Sequence, residues 1–173
     1  MLEEIESFVE EKFRGLVDED RARKITRQVL KAEDVMPPYE VSLVFTDSET
    51  MQRLNRDYRG VDRPTDVLAF YMLPQQKAES PFILPPDKTL HLGEVIISYP
   101  QAVVQAKEQK HSVEQELTLL IIHGTLHLLD YNHEQPEEEK RMRGREEEFL
   151  TKWGTSGISR GFSKLAGQEV KDG

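Results

Sequence analysis

The fold of this chain is decided by one stretch, Ser112-Val-Glu-Gln-Glu-Leu-Thr-Leu-Leu-Ile-Ile-His123-Gly-Thr-Leu-His127-Leu-Leu. It begins with the capping-box pattern Ser112-Val-Glu-Gln115, in which two side chains satisfy backbone donors at the start of a helix. The residues that follow are apolar almost all round, so we predict a helix that is buried on every side. Side chains carried by such a helix stand on a rigid support.

Three of the five histidines of the chain lie in the segment that runs from His123 to His133. Residues four apart on a helix are separated by about 400° of rotation and about 6 Å of rise, so His123 and His127 project from one face. His133 cannot join that face from a straight helix, and we therefore expect the chain to leave the helix near Asp130. A lone buried histidine is more often a hydrogen-bonded core residue, but three imidazoles at this spacing favour a metal site. They leave one tetrahedral position for water, which is the pattern of a catalytic zinc.

Length and composition restrict the class of protein. A chain of 173 residues and 20.0 kDa fits one domain, and the absence of cysteine excludes disulfides and thiolate metal ligands. The apolar run from Leu117 to Ile122 is far shorter than the roughly 20 residues that cross a bilayer. The acidic start also lacks the basic region of a secretory signal. We expect a cytoplasmic protein with no membrane partner.

The charge distribution gives two opposing indications about nucleic acid. A net charge of −9 argues against a generally basic nucleic-acid binder. Four arginines nevertheless lie within eleven residues, at Arg53, Arg56, Arg59 and Arg63. Their pattern alone favours a solvated helix face, although a local basic groove stays open as the alternative.

Turn signals and apolar periodicity predict the remaining elements. We expect an acidic helical extension over residues 1–19, a main domain over 20–155 and a partly disordered tail over 156–173. Strands are predicted at 39–45, 67–72 and 90–98, and helices at 20–34, 47–58, 99–110, 112–129 and 136–153. So few strands among helices are typical of the α+β class, and we predict a single domain in which a mixed sheet of three to four strands packs with about five helices.

Three smaller features of the sequence are interpreted as structural. Thr46-Asp-Ser-Glu49 is a second capping-box pattern, with Thr46 as the predicted N-cap. Thr65-Asp66 is interpreted as a turn that enters a strand. His91 and His111 are interpreted as surface or strand residues.

The histidine spacing is shared with zinc peptidases of the metzincin type. Such enzymes carry a glutamate directly after the first histidine, where it serves as general base. This chain has Gly124 at that position. A zinc-dependent peptidase is therefore a minor alternative.

Three blocks of sequence together resemble the YbeY family of endoribonucleases, which are also described as rRNA maturation factors. The blocks are Leu54-Asn-Arg-Asp-Tyr-Arg59 with Asp62 and Pro64-Thr-Asp-Val-Leu-Ala-Phe70, then Leu92-Gly-Glu-Val-Ile-Ile-Ser98, and finally the segment from His123 to His133. The resemblance covers roughly residues 20–155. The metal segment is specific by itself, and the three blocks in this order are very specific.

The resemblance implies a metal-dependent, single-strand-specific endoribonuclease that acts in maturation of the 16S rRNA 3′ end and in ribosome quality control. It implies one zinc ion on His123, His127 and His133, and a catalytic Arg59. The other clustered arginines, Arg53, Arg56 and Arg63, would then border an RNA groove. Implied partners are single-stranded RNA, the small ribosomal subunit, and a ribosomal protein or ribosome-associated GTPase.

The chain departs from the family pattern at three positions. Asp130 replaces a glycine after the metal helix, and aspartate is among the few residues that adopt a left-handed backbone at tolerable cost. Asn132 replaces an aspartate, which removes a carboxylate near the metal, and Ala69 replaces a serine.

The mechanistic hypothesis is that zinc lowers the pKa of water toward ~7 and that Arg59 clamps phosphate oxygens in the transition state. On spacing alone, an ion pair between Arg59 and Asp62 or Asp66 is equally favoured. A second hypothesis is a ribosome-associated assembly factor whose metal only holds the fold.

Overall fold

A four-stranded mixed sheet lies at the centre of the computed structural model, which describes residues 3–71, 89–131 and 135–158. The strands are β1 (Glu3–Val9), β2 (Tyr39–Thr46), β3 (Val67–Tyr71) and β4 (Leu90–Ser98). Their order across the sheet is β1-β2-β4-β3, with β1, β2 and β4 parallel and β3 antiparallel to β4. The described residues thus make β1 and β3 the two edges of this sheet.

Five helices cover the two faces of the sheet in the described part of the chain. They are α1 (Glu19–Ala32), α2 (Ser48–Arg59), α3 (Tyr99–Gln109), α4 (Val113–Leu128) and α5 (Pro136–Lys152). Side chains of α1, α4 and α5 share the main core with alternate residues of the strands, whereas α2 packs on the opposite face. The predicted α+β class, with four strands and five helices, is confirmed.

The central helix α4 has the burial that its composition predicts. All its residues from Glu116 to Leu128 are buried, and the capping box between Ser112 and Gln115 is formed in both directions. The helix ends at Leu128, and Asp130 adopts the expected left-handed backbone with φ 73°. Among the described helices, none combines the length and apolar character needed to cross a bilayer.

The predicted N-terminal helical extension is wrong, because residues Glu3–Val9 form β1. This strand pairs in parallel register with β2, from Glu3 beside Tyr39 to Val9 beside Phe45. Ile5 enters the core, while the acidic side chains stay on the exposed edge, where charge discourages pairing with other chains. The apolar spacing of residues 3–9 fits a helix as well as a strand, and the pairing with β2 makes this segment a strand.

The N-cap of α2 also differs from the prediction. Asp47, one residue after the predicted Thr46, accepts a hydrogen bond from the Thr50 backbone amide at 2.8 Å. Thr46 is instead buried, and its hydroxyl donates to Glu10 at 3.0 Å. The helix ends at Arg59, and the following Gly60 has a φ of 74°, the left-handed conformation common after helices.

Candidate metal centre

Two of the three predicted metal ligands lie side by side on α4. The ring centroids of His123 and His127 are 4.7 Å apart, the rings are inclined at 70°, and each residue is 5% exposed. The third predicted ligand, His133, lies outside the described residues. Within residues 3–71, 89–131 and 135–158 no cluster of three or more His, Asp or Glu side chains is arranged to hold a metal.

A carboxylate from another helix fixes the first of these histidines. The Nδ1 atom of His123 lies 2.5 Å from Oε2 of Glu146 on α5, and both side chains are largely buried. When Nδ1 donates its proton to a carboxylate, the neutral imidazole keeps the Nε2 lone pair for a metal. Imidazole donors with a carboxylate behind one of them suit zinc, so the residues present fit this ion.

Glu146 was missed in the sequence because it lies in the run Glu146-Glu147-Glu148, which has the composition of a solvated helix surface. A signal was nevertheless present. Glu146 lies four residues after Met142 and three before Phe149, both of which are buried. A carboxylate on the apolar face of a helix requires a partner, and here that partner is His123.

Gly124 faces the sheet rather than the histidine site. A Cβ atom at this position would lie 2.5 Å from Cγ1 of Val95 and 3.2 Å from Cγ2 of Val67. Glycine therefore lets α4 approach β3 and β4 closely. A zinc peptidase requires a glutamate at this position, whereas here even a Cβ atom would clash with Val95 unless the core shifted.

The last turn of α4 lies beside the C-terminal end of β3. A Cβ atom on Gly93 of β4 would lie 3.1 Å from Cδ2 of Leu128 and 2.0 Å from the Phe70 carbonyl oxygen. Gly93 is also the partner of Tyr71, the last residue of β3. His127, one residue before Leu128, is therefore near this end of the edge strand.

The end of α2 approaches the same end of β3 from the opposite face of the sheet. The Tyr58 ring packs edge-on against Phe70 of β3, with centroids 5.4 Å apart and planes at 71°. The next residue is Arg59, which is exposed. The last turns of α2 and α4, which carry Arg59 and His127, thus approach β3 from its two faces.

The other predicted RNA-binding arginines lie within six residues of Arg59 along the chain. Arg53 and Arg56 lie on α2, and Arg63 lies in the following loop; all three are exposed. The loop is tied to the helix because the buried Asn55 amide donates to the Arg63 carbonyl at 2.9 Å. Arg56 pairs with Asp57, with an Nε to Oδ1 distance of 3.3 Å.

Thr65-Asp66 leads into β3 through a bend, as predicted, and Asp66 also belongs to a buried polar network. Asp66 is fully buried and accepts from the Gln105 amide at 3.2 Å, and the same amide donates to Glu116 at 2.7 Å. His111, predicted at the surface or in a strand, is largely buried instead, with Nε2 at 2.6 Å from Glu116. Burial raises the pKa of the Glu116 carboxyl, and the Asp66 charge adds to the effect. The network joins the start of β3 to α3 and α4.

Comparison with curated proteins gives close relatives over most of the chain. A Dehalococcoides mccartyi protein named Endoribonuclease YbeY is 45% identical over 148 residues, which are 83% of this chain and 86% of the relative. A Roseiflexus castenholzii protein of the same name is 43% identical over 149 residues, covering 86% and 89%. A Geobacillus thermodenitrificans protein, also so named, is 44% identical over 131 residues, covering 76% and 83%.

Solved structures and family models agree with these relatives. The solution structure of TM1509 from Thermotoga maritima matches with a TM-score of 0.54 at 24% identity, covering 87% of this chain and 91% of that one. That likeness concerns the fold. A family model described as Endoribonuclease YbeY matches residues 8–154. With this match and relatives at 43–45% identity, the chain belongs to the endoribonuclease YbeY family.

Proposed function

We propose that this chain is a cytoplasmic, single-strand-specific and metal-dependent endoribonuclease that acts in maturation of the 16S rRNA 3′ end and in ribosome quality control. Membership of the endoribonuclease YbeY family supports hydrolysis of RNA as the reaction. The observation that carries the metal-dependent part is the pairing of His123 and His127 on one buried helix, with a carboxylate behind His123.

We infer that one zinc ion per chain is held by His123, His127 and His133. When bound, the ion supplies Lewis acidity, which activates water and polarises a phosphoryl oxygen. Glu146 holds the proton on Nδ1 of His123 and so presents Nε2 to the ion. Since α4 is buried from Glu116 to Leu128, the first two ligands have little freedom to separate.

Arg59 is proposed to bind the phosphate that is cleaved. Its guanidinium is always charged and donates two parallel hydrogen bonds to phosphate oxygens. Donors placed where charge develops lower the barrier more than donors that only bind the ground state. The approach of α2 to the same end of β3 as His127 supports this assignment. Arg53, Arg56 and Arg63 would contact neighbouring phosphates.

The proposed substrate is single-stranded rRNA on or near the small ribosomal subunit. An acidic chain with a locally basic segment at residues 53–63 suits a docked substrate better than general RNA binding, because its net charge of −9 repels phosphate. A ribosomal protein or ribosome-associated GTPase is the proposed partner that brings the enzyme to its site.

The test uses purified full-length protein that is stripped by a chelator and then reloaded with zinc. Single-stranded RNA that carries the 3′ end of the small-subunit rRNA is compared with the same sequence in a duplex. The variants are His127→Ala and Arg59→Ala, and the matched control is Arg27→Ala. Arg27 is on α1 and pairs with Glu3 at the opposite edge of the sheet, with an Nε to Oε1 distance of 3.1 Å.

Zinc should restore cleavage of the single strand in the parent and in the control. His127→Ala should lose both zinc and cleavage, whereas Arg59→Ala should lose cleavage and keep zinc and folding. Binding of RNA without metal-dependent cleavage would support an assembly factor instead. Cleavage of a casein substrate would restore the peptidase hypothesis.

A further inference from the structure

An exposed aromatic side chain lies within the basic segment. Tyr58 is 69% exposed although it is a large apolar ring, and it lies directly before Arg59 on α2. Its edge contact with Phe70, at 5.4 Å, holds the ring in place on the surface instead of covering it. A fixed and exposed aromatic ring beside cationic groups is the arrangement that single-stranded nucleic-acid binders use for stacking bases.

The local charge identifies the kind of occupant. Residues 53–63 contain four arginines and two aspartates, so this segment is positive in a chain whose net charge is −9. Every one of the four arginines is exposed. A protein partner would need a complementary acidic surface, whereas a polynucleotide supplies regularly spaced phosphates together with apolar bases. The pairing of ring and charge therefore favours RNA.

We propose that Tyr58 is a base-stacking subsite for single-stranded RNA, next to the phosphate that Arg59 binds. This inference rests on the proposed function in naming RNA as the ligand. A base that stacks on the Tyr58 ring fixes the register of the strand along α2. Arg59, one residue further on, then meets a phosphate close to the stacked base. Stacking tolerates any base, so the subsite positions the strand without reading its sequence.

The test measures binding rather than cleavage, with metal-free full-length protein and a short fluorescein-labelled single-stranded RNA. Tyr58→Ala removes the ring on which the base stacks, and the loss of that contact should weaken the RNA affinity by about 5- to 140-fold. Tyr58→Phe and Tyr58→Trp keep the ring and should keep most of the affinity. The matched control is Phe8→Ala, because Phe8 is 54% exposed on β1 at the other edge of the sheet and should not affect binding.

A second arm uses RNAs with a single abasic nucleotide moved along the strand. At one position the missing base should weaken binding to the parent and have no further effect on Tyr58→Ala. Equal affinity of Tyr58→Ala and the parent would overturn the proposal, as would a loss of the same size in Tyr58→Phe. Because binding is measured without metal, the two hypotheses are tested separately. Stacking of RNA without cleavage would refute only the nuclease function, and cleavage without stacking would refute only the subsite.

Discussion

Gly124→Ala tests how closely α4 must approach the sheet. The added methyl would lie 2.5 Å from Cγ1 of Val95, about 1 Å inside an ordinary carbon contact. Val95 is fully buried on β4 and has a stiff β-branched side chain, so it cannot turn away. Overpacking of a well-filled core costs about 1–3 kcal/mol, partly offset by the gain of about 1 kcal/mol when alanine replaces glycine in a helix.

The control is Gly144→Ala on α5, where a Cβ atom would meet nothing within 4 Å. That substitution gains the helix propensity alone and should raise the free energy of unfolding by about 1 kcal/mol. The two variants should therefore differ by about 1–3 kcal/mol, which corresponds to roughly 2–12 °C in Tm for a chain of this size. Chemical denaturation and thermal melting of the metal-free proteins measure the difference.

A double-mutant cycle with Val95→Ala identifies the cause. Val95→Ala should destabilise the protein alone, because it leaves a cavity. It should also remove most of the clash with Ala at position 124, which gives a favourable coupling of about 0.5–3 kcal/mol. If Gly124→Ala were as stable as Gly144→Ala, or if the cycle showed no coupling, the close approach of α4 to β4 would be refuted.

Further substitutions probe the carboxylate behind His123, the buried network and a helix cap. Glu146→Gln should weaken zinc binding by about 10–100-fold in chelator competition, while Glu138→Gln on the exposed side of the same helix should not. Equal zinc affinities of the two variants would contradict the proposal that Glu146 orients His123. Burial raises the pKa of the Glu116 carboxyl, which lies in a network with His111 and Asp66. The folded state therefore favours the protonated carboxyl, so its contribution to the free energy of unfolding is complete below the ordinary glutamate pKa and is lost as pH rises through the raised pKa. Glu116→Gln should flatten this part of the pH dependence of the unfolding free energy, and an unaltered slope would argue against it. Asp47→Ala should lower the free energy of unfolding by about 0.5–2 kcal/mol, whereas Asp47→Asn keeps the helix cap and should cost much less. Similar losses in the two variants would exclude capping by this side chain.

Local signals account for the features that the sequence predicts well. The capping box at Ser112, the apolar composition of α4 and the histidine spacing involve residues within a few turns of one another. The left-handed Asp130 follows from the end of the same helix. Such features depend on backbone geometry that each segment imposes on itself, so the sequence alone suffices to predict them.

The features that the sequence did not reveal depend on distant contacts. Glu146 contacts His123 only because α5 brings it to this residue, which lies 23 positions earlier in the chain. Asp66 and Glu116 become a buried network only when β3 and α4 meet Gln105. The N-terminal strand has an apolar pattern that a helix would satisfy equally well, and only pairing with β2 distinguishes them. In each case the deciding partner lies in another element.

Because β3 is an edge strand, a polymer that contacts both of its faces must be flexible enough to bend over it. The last turns of α2 and α4 approach this strand from its two faces, and among the described residues no strand lies beyond β3 in the sheet. A polymer that contacted both helix ends would have to bend over this edge. A DNA duplex has a persistence length of about 150 bp, so it resists bending over a distance as short as the width of one strand. If the proposed RNA substrate crosses this edge, a paired substrate would have to overcome that resistance.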